Sequence, residues 1–171
     1  PRWGKQFTYA LLEERVTPAK VLDRDAALHT LASRYFATRG PATEADFAWW
    51  SGLTQADARS AIHSLGDRLD STVIGGRKHW FGAGDTGKPK SPLVHLLPNY
   101  DEYFIAFQDR AWFTAPRLPT SSARDRSIFA HQLVIDGQLC GAWSRTLRAK
   151  TVDIDVRPFR VLRNSERGAV V

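Results

Sequence analysis

The stretch Thr54-Gln55-Ala56-Asp57-Ala58-Arg59-Ser60-Ala61-Ile62-His63-Ser64-Leu65-Gly66-Asp67-Arg68-Leu69-Asp70-Ser71-Thr72-Val73-Ile74-Gly75-Gly76-Arg77-Lys78-His79-Trp80-Phe81 decides the fold. It opens with a hydroxyl residue followed three positions later by an acid, the pattern that caps a helix start. At 100° per residue Ala58, Ala61, Ile62 and Leu65 fall on one face and should pack inward. Ala56, Arg59, Ser60 and His63 fall on the other. Gly66-Asp67 ends the helical period. Leu69 to Ile74 then reads as a strand, Gly75-Gly76 as a tight turn, and Arg77 to Phe81 as the returning strand.

Working toward the N-terminus, residues 22–40 repeat apolar side chains at helical spacing through Leu28, Leu31, Ala32, Tyr35 and Phe36, with Asp23 as cap and Gly40-Pro41 as stop. Thr43-Glu44-Ala45-Asp46 is a second capping-box-like start. The helix it opens carries Phe47, Trp49 and Trp50, which read as core, and Ser51-Gly52-Leu53 breaks it. Three helices followed by a hairpin is the order of a winged helix.

Working toward the C-terminus, residues 82–92 are rich in Gly, Pro and Lys and read as a linker. Beyond it, Leu93 to Leu97 is apolar, Tyr100 to Phe107 fits a short helix, and 114–127 reads as loop. Ile128 to Ile135 and Leu139 to Thr146 flank the hairpin signal Asp136-Gly137-Gln138. Thr151 to Val156 alternates, with Val152, Ile154 and Val156 on one side, and Phe159, Val161 and Leu162 supply a last short strand. The expected class is α+β, a winged-helix domain followed by a small antiparallel β-sheet or barrel domain. The expected division is 1–20 as the tail of a preceding winged-helix unit, 21–81 as winged helix, 82–92 as linker and 93–171 as a β-rich C-terminal domain.

Composition narrows the function classes. Of 171 residues 43% are hydrophobic and 25% charged, which excludes a disordered chain and leaves material for a core. No apolar run is long enough to span a membrane, and no secretory leader is visible. One cysteine, Cys140, excludes an internal disulfide and fits a cytoplasmic setting. The net charge of +6 rests on 18 arginines against 6 lysines and is spread along the chain, which permits nucleic-acid binding without a basic tail. Methionine is absent throughout, position 1 included, and the expectation is a chain lacking its front part.

The candidate DNA contacts follow from these elements. Arg59, Ser60 and His63 form the exposed face of the third helix, a thin reading head with Asp57 beside it. Arg77, Lys78 and His79 follow the Gly75-Gly76 turn and would place a basic wing tip on phosphates or in a minor groove. Arg145 and Arg148 add cations in the β-rich region. Asp101, Glu102, Tyr103 and Arg110 are possible cleft residues, and an ion pair from Asp101 or Asp109 to Arg110 or Arg145 competes with that reading. The five histidines lie scattered without ligand spacing, so no metal and no cofactor are expected. The expected partner is double-stranded DNA, bound by a monomer.

Three phrases carry a family resemblance: Arg39-Gly40-Pro41-Ala42-Thr43-Glu44-Ala45-Asp46-Phe47-Ala48-Trp49-Trp50-Ser51-Gly52-Leu53; Leu96-Leu97-Pro98-Asn99-Tyr100-Asp101-Glu102-Tyr103 with Asp109-Arg110; and Val134-Ile135-Asp136-Gly137-Gln138 with Gly141 and Trp143. Together they resemble the bacterial winged helix DNA-binding domain-containing family, which includes the AlkZ-type interstrand-crosslink DNA glycosylases. The resemblance runs from about residue 5 to about residue 163. It implies tandem winged helices and a β-rich C-terminal domain around DNA, and a glycosylase activity resting on a Gln-x-Gln or Gln-x-Asp motif in the family's N-terminal part. This chain resembles the C-terminal part, so the expectation is that the catalytic motif is absent and no catalytic residue carries over. The reading that results is the DNA-binding part of a glycosylase-like repair protein. A winged-helix transcriptional regulator or a non-catalytic scaffold is the alternative.

Overall fold

The computed structural model describes residues 2–17, 21–84, 87, 89–113 and 129–170. The loop expected at 114–127 lies outside the described residues. A small hairpin comes first, β1 (Arg2–Trp3) and β2 (Gln6–Phe7). Three helices follow, α1 (Arg24–Arg39), α2 (Glu44–Ser51) and α3 (Gln55–Leu65). Each has the cap its sequence announced. Asp23 accepts from Ala26 N at 2.8 Å, Thr43 from Asp46 N and Thr54 from Asp57 N, both at 3.1 Å. At Thr43 the box is reciprocal, because the Asp46 carboxylate takes the Thr43 backbone N–H at 2.9 Å. Gly52 closes α2 in the left-handed region, φ 71°, where a side chain would be strained.

After α3 the chain makes the antiparallel hairpin β3 (Leu69–Ile74) and β4 (Arg77–Gly82). Both turn residues have positive φ, Gly75 57° and Gly76 76°, as a two-residue turn of this twist requires. The hairpin is fastened to the segment before α2 by a two-hydrogen-bond bridge between Ala42 and Trp80, 2.8 and 2.9 Å. Gly40 permits this approach. A Cβ there would stand 2.5 Å from Phe36 O and 2.6 Å from Phe81 Cα.

The second half is a four-stranded antiparallel sheet in the order β5 (Val94–Leu97), β6 (Gln132–Ile135), β7 (Gln138–Leu147), β8 (Val152–Pro158). The β6–β7 turn is Asp136-Gly137, again with both φ positive. A short helix, α4 (Glu102–Ile105), lies between β5 and β6, and α5 (Asn164–Val170) ends the chain. The last segment departs from the expected strand at 159–162. Phe159 and Leu162 are buried, but they sit in the turn that leads into α5. Beneath α5 the Glu166 carboxylate is fully buried and takes Arg160 at 2.8 and 2.9 Å, Arg163 Nε and Nη2 at 3.0 and 2.7 Å, and the Arg163 backbone N–H at 2.8 Å. This cage docks the helix and explains why an apolar pattern alone missed it.

The two halves share one apolar core. Tyr35, Phe36 and Phe47 of the helical unit belong to the same cluster as Phe104, Phe107, Phe113, Val134 and Phe159. The polar seam along that core is built on Asp46, itself buried. One carboxylate oxygen serves Thr43, while the other accepts Gln108 N at 2.9 Å and Asp109 N at 3.4 Å. The Tyr35 hydroxyl donates to Ala106 O at 2.9 Å, and burial pushes its titration upward.

Asp46→Ala leaves the buried Thr43 N–H and the half-buried N–H groups of Gln108 and Asp109 without their acceptor. It should destabilise the chain by about 3 kcal/mol, read as a fall in the urea midpoint with unchanged slope. Arg160 first, then Arg163, hold the Glu166 carboxyl far below the usual carboxylate range. A carboxyl lowered on folding contributes stability above its unfolded pKa of about 4.3 and loses it as pH falls through the lower folded value. The stability gap between wild type and Glu166→Gln should therefore narrow steadily as urea titrations move from pH 5 toward roughly pH 2.

Candidate nucleic-acid interface and adjoining cleft

α3 presents the faces its periodicity predicted. Ala58, Ala61, Ile62 and Leu65 are buried, and Arg59, Ser60 and His63 are exposed. Arg59 is not a free cation, since it pairs with Glu44 of α2 at 3.3 Å. Asp57 is occupied too, by Arg24 at 2.7 Å and Thr54 Oγ1 at 2.8 Å, and Arg24 lowers its carboxyl from the ordinary range.

The hairpin differs more from expectation. Arg77 is exposed but pairs with Asp109, whose carboxyl is lowered chiefly by the Ala111 backbone N–H at 2.9 Å and then by Arg77. Lys78 lies over the Trp80 ring, 3.9 Å from its centroid. His79 was expected at the exposed basic tip, but it is 9% exposed and turned inward. Alternation on a strand sends its side chain to the face opposite Lys78. Its Nδ1 stands 2.9 Å from Arg77 O. A carbonyl only accepts, so Nδ1 carries a proton, and in the neutral form of the ring the bare nitrogen is Nε2. Asp109 thus takes Arg77, in place of the expected pairs with Arg110 or Arg145. Trp49, expected in the core, is 54% exposed with Nε1 at 3.4 Å from Ile105 O, whereas Trp50 does pack against the core.

The sheet supplies a second surface that the sequence reading undervalued. β6 pairs with β7 only as far as Ala142, while β7 and β8 stay paired out to Leu147 and Val152. Residues 143–157 therefore project as a two-stranded arm. Facing pairs on one side are Trp143–Val156, Arg145–Ile154 and Leu147–Val152. Trp143 roots the arm, its Nε1 donating to Leu97 O at 2.8 Å. Toward the tip Leu147 is 71% exposed, and Val152 and Ile154 are each 55% exposed. Val152 and Ile154 share one side of the strand with Val156, and no strand among the described residues covers that side of the arm. Arg148 pairs with Asp153. Arg145 has no ion pair among the described residues, and Lys150 stands exposed at the tip.

Of the expected cleft residues, the structure brings two together. A cleft of about 660 Å³ lies where the end of α1, the hairpin and α4 meet, and both Glu102 and Tyr103 line it, with His79, Phe107 and Trp112. Asp101 instead caps α4 by accepting Tyr103 N at 2.9 Å, and Arg110 donates to Phe104 O at 2.8 Å. One Glu102 oxygen collects three donors, Arg39 Nε at 3.0 Å, Arg39 Nη2 at 2.9 Å and Trp50 Nε1 at 2.5 Å. No group of three or more His, Cys, Asp or Glu among the described residues could hold a metal ion, and no helix among them is long and apolar enough to cross a membrane.

A three-helix-and-hairpin unit sharing its core with an antiparallel sheet defines an α+β protein, and its sequence places it further. The family model for AlkZ-like DNA glycosylases matches residues 1–171, and the chain belongs to that family. Among solved structures it is similar in fold to the DNA glycosylase AlkZ of Streptomyces sahachiroi, with a TM-score of 0.67 at 22% identity, over 89% of this chain and 42% of that one. The chain therefore spans less than half the length of this solved relative. No curated protein matches it by sequence. The spelling Gln-x-Asp does occur once, at Gln55-Ala56-Asp57, which corrects the expectation that it is absent. It sits on the first turn of α3, where positions i and i+2 point away from each other and Asp57 is engaged by Arg24 and Thr54. The pair cannot address one reacting centre.

The His79 tautomer is directly testable. Long-range proton–nitrogen NMR on the neutral ring should find Nδ1 protonated and Nε2 bare, and the reverse would remove the hydrogen bond to Arg77 O.

Proposed function

We propose that these residues form the DNA-holding part of a glycosylase-like repair protein, with 21–81 as a winged helix, 82–92 as linker, 93–171 as the β-rich domain and 1–20 as the tail of a preceding unit. The observation that carries this is the projecting arm, which sets Arg145 among exposed Leu147, Val152 and Ile154. Apolar side chains beside a free guanidinium suit a minor groove, where cations meet a concentrated negative potential and apolar groups wedge against base steps. The arm thus displaces the hairpin tip as the foremost contact, since Arg77 and Lys78 are engaged by Asp109 and Trp80. Arg59, Ser60 and His63 flank the duplex as backbone contacts. The family's chemistry is removal of a damaged base, and none of the residues described here is assigned to that step. Neither an operator-reading nor a scaffold role gains support, because α3 offers few free donors to base edges.

The test is fluorescence anisotropy with a labelled duplex across a salt series. Arg145→Ala with Lys150→Ala should reduce the slope of log affinity against log salt by about 1.8, at roughly 0.9 per lost phosphate contact. Lys78→Ala should change it much less, and a larger loss there would return the primary contact to the hairpin. The 171-residue chain should bind duplex DNA but release no base from alkylated DNA. Base release by this chain would show that it holds its own chemistry.

A further inference from the structure

In the helical unit Arg24 rests on Asp57, Arg39 on Glu102, Arg59 on Glu44 and Arg77 on Asp109. Arg68, in the turn after α3, rests on an imidazole instead, with its Nη1 3.0 Å from His29 Nε2 of α1. It makes no ion pair among the described residues, although Asp67 is its neighbour in sequence. The turn that carries it is fastened, since the Ala83 N–H donates to Arg68 O at 3.0 Å.

The directions of the hydrogen bonds along this contact are fixed. A guanidinium only donates, so His29 Nε2 accepts. Nδ1 then carries the proton of the neutral ring and donates to Ser64 Oγ at 3.2 Å, and Ser64 sends its own proton to Ala61 O at 2.8 Å. An imidazolium does not fit, because its second proton would point at the guanidinium. His29 is half-buried, whereas Ser64 and Arg68 are exposed, so the far side of the contact is open to solvent. The charged groups around it leave the contact as it is. Asp25, one turn earlier on α1, and Asp67 make no hydrogen bond to the ring, and Asp57 of α3 is held by Arg24 and Thr54. His63, next to Ser64 in sequence, is exposed.

We propose that His29, Ser64 and Arg68 form a binding site for a phosphate group, seated between the Arg68 guanidinium and His29 Nε2, with one proton taken up from solvent by the imidazole. A phosphate oxygen is a charged acceptor and the imidazole a neutral one, so the guanidinium exchanges a weak partner for a strong one and can engage two oxygens together. With the oxyanion in place, a proton on Nε2 donates to oxygen instead of facing N–H groups. Ser64 still accepts from Nδ1 and keeps the ring oriented. The C-terminal end of α3 works against an anion nearby, so the guanidinium alone makes a weak site and the imidazolium supplies the second cation. Free phosphate and the phosphodiester of a nucleic-acid backbone share this chemistry. The site uses no residue of the β7–β8 arm and stands whether or not the arm contacts DNA.

The test titrates inorganic phosphate, and separately a short duplex lacking terminal phosphates, into the 171-residue chain at roughly pH 7. The readouts are the nitrogen NMR shifts of the His29 ring and calorimetry in buffers of different ionisation enthalpy. Binding should shift the His29 ring saturably, with a heat that depends on the buffer as proton uptake requires. Arg68→Ala should weaken phosphate at least about tenfold. His29→Gln should abolish the proton uptake, an effect that a merely structural role would not produce, and His63→Gln should leave it unchanged. A duplex that itself shifts the His29 ring identifies a nucleic-acid backbone as the source of the phosphate. One that leaves the ring unmoved while inorganic phosphate shifts it identifies free phosphate. No saturable shift of His29 by the duplex or by phosphate up to about 20 mM, proton uptake undiminished in His29→Gln, or binding undiminished in Arg68→Ala would each overturn the proposal.

Discussion

The architecture depends on one buried carboxylate with two clients. Asp46 closes the capping box of α2 with one oxygen and holds the backbone at Gln108 and Asp109 with the other. A buried carboxyl group is tolerated only when its oxygens are hydrogen-bonded, and here backbone and hydroxyl donors serve both of them. Everything beside that joint inherits its position. Asp109 is set where it meets Arg77 of the hairpin, α4 is set so that Glu102 meets Arg39 and Trp50, and Tyr35 reaches Ala106 O. The helical unit and the sheet are therefore locked along the chain segment 101–110 and not merely joined by the stretch 82–92.

That lock has an electrostatic consequence. The chain carries +6, yet several cations near the helical unit are used internally: Arg24 with Asp57, Arg39 with Glu102, Arg59 with Glu44 and Arg77 with Asp109. Exposed pairs of this kind add little stability, but each partner acid lowers the local potential that a phosphate would feel. The surplus is felt where cations outnumber acids, and the β7–β8 arm, which sets Arg145, Arg148, Lys150 and Arg157 against Asp153 and Asp155, is such a place. Net charge alone therefore does not locate the unpaired charge, which is what acts at a distance comparable with the Debye length.

Local chemistry was legible in the sequence and distant chemistry was not. Asp23, Thr43 and Thr54 as caps, and Gly75-Gly76 and Asp136-Gly137 as turns, act within four residues and can be read directly. The buried face of α3 was equally plain, since a helix side is fixed by its own period. Glu166 is equally local, three residues from Arg163 and six from Arg160, and was passed over because the apolar Phe159, Val161 and Leu162 read as a strand and hid the helix start at 164. Trp49 and Trp50 are adjacent and chemically alike, yet one is exposed and the other packs inward, a choice made by the 100° step between them and by α4. In the cleft, Glu102 and Tyr103 were found through a dense polar-aromatic run. His79 was assigned to the hairpin tip because strand alternation says which residues share a side, not which side meets a neighbour.

The arm makes the same point in energetic terms. Val152 and Ile154 alternate with Asp153 and Asp155, a pattern that ordinarily marks a half-buried strand. Here both sit more than half exposed beside Leu147. Leaving such side chains in water forgoes roughly 1.5 kcal/mol or more apiece relative to burial. An edge strand carrying exposed apolar groups also invites pairing with other chains, against which Asp153, Asp155 and the Arg148–Asp153 pair act as charged blunting on the opposite face. An apolar stripe flanked by such charges and left uncovered among the described residues, with the Arg145 guanidinium beside it, is what the proposed contact with a polyanion would require.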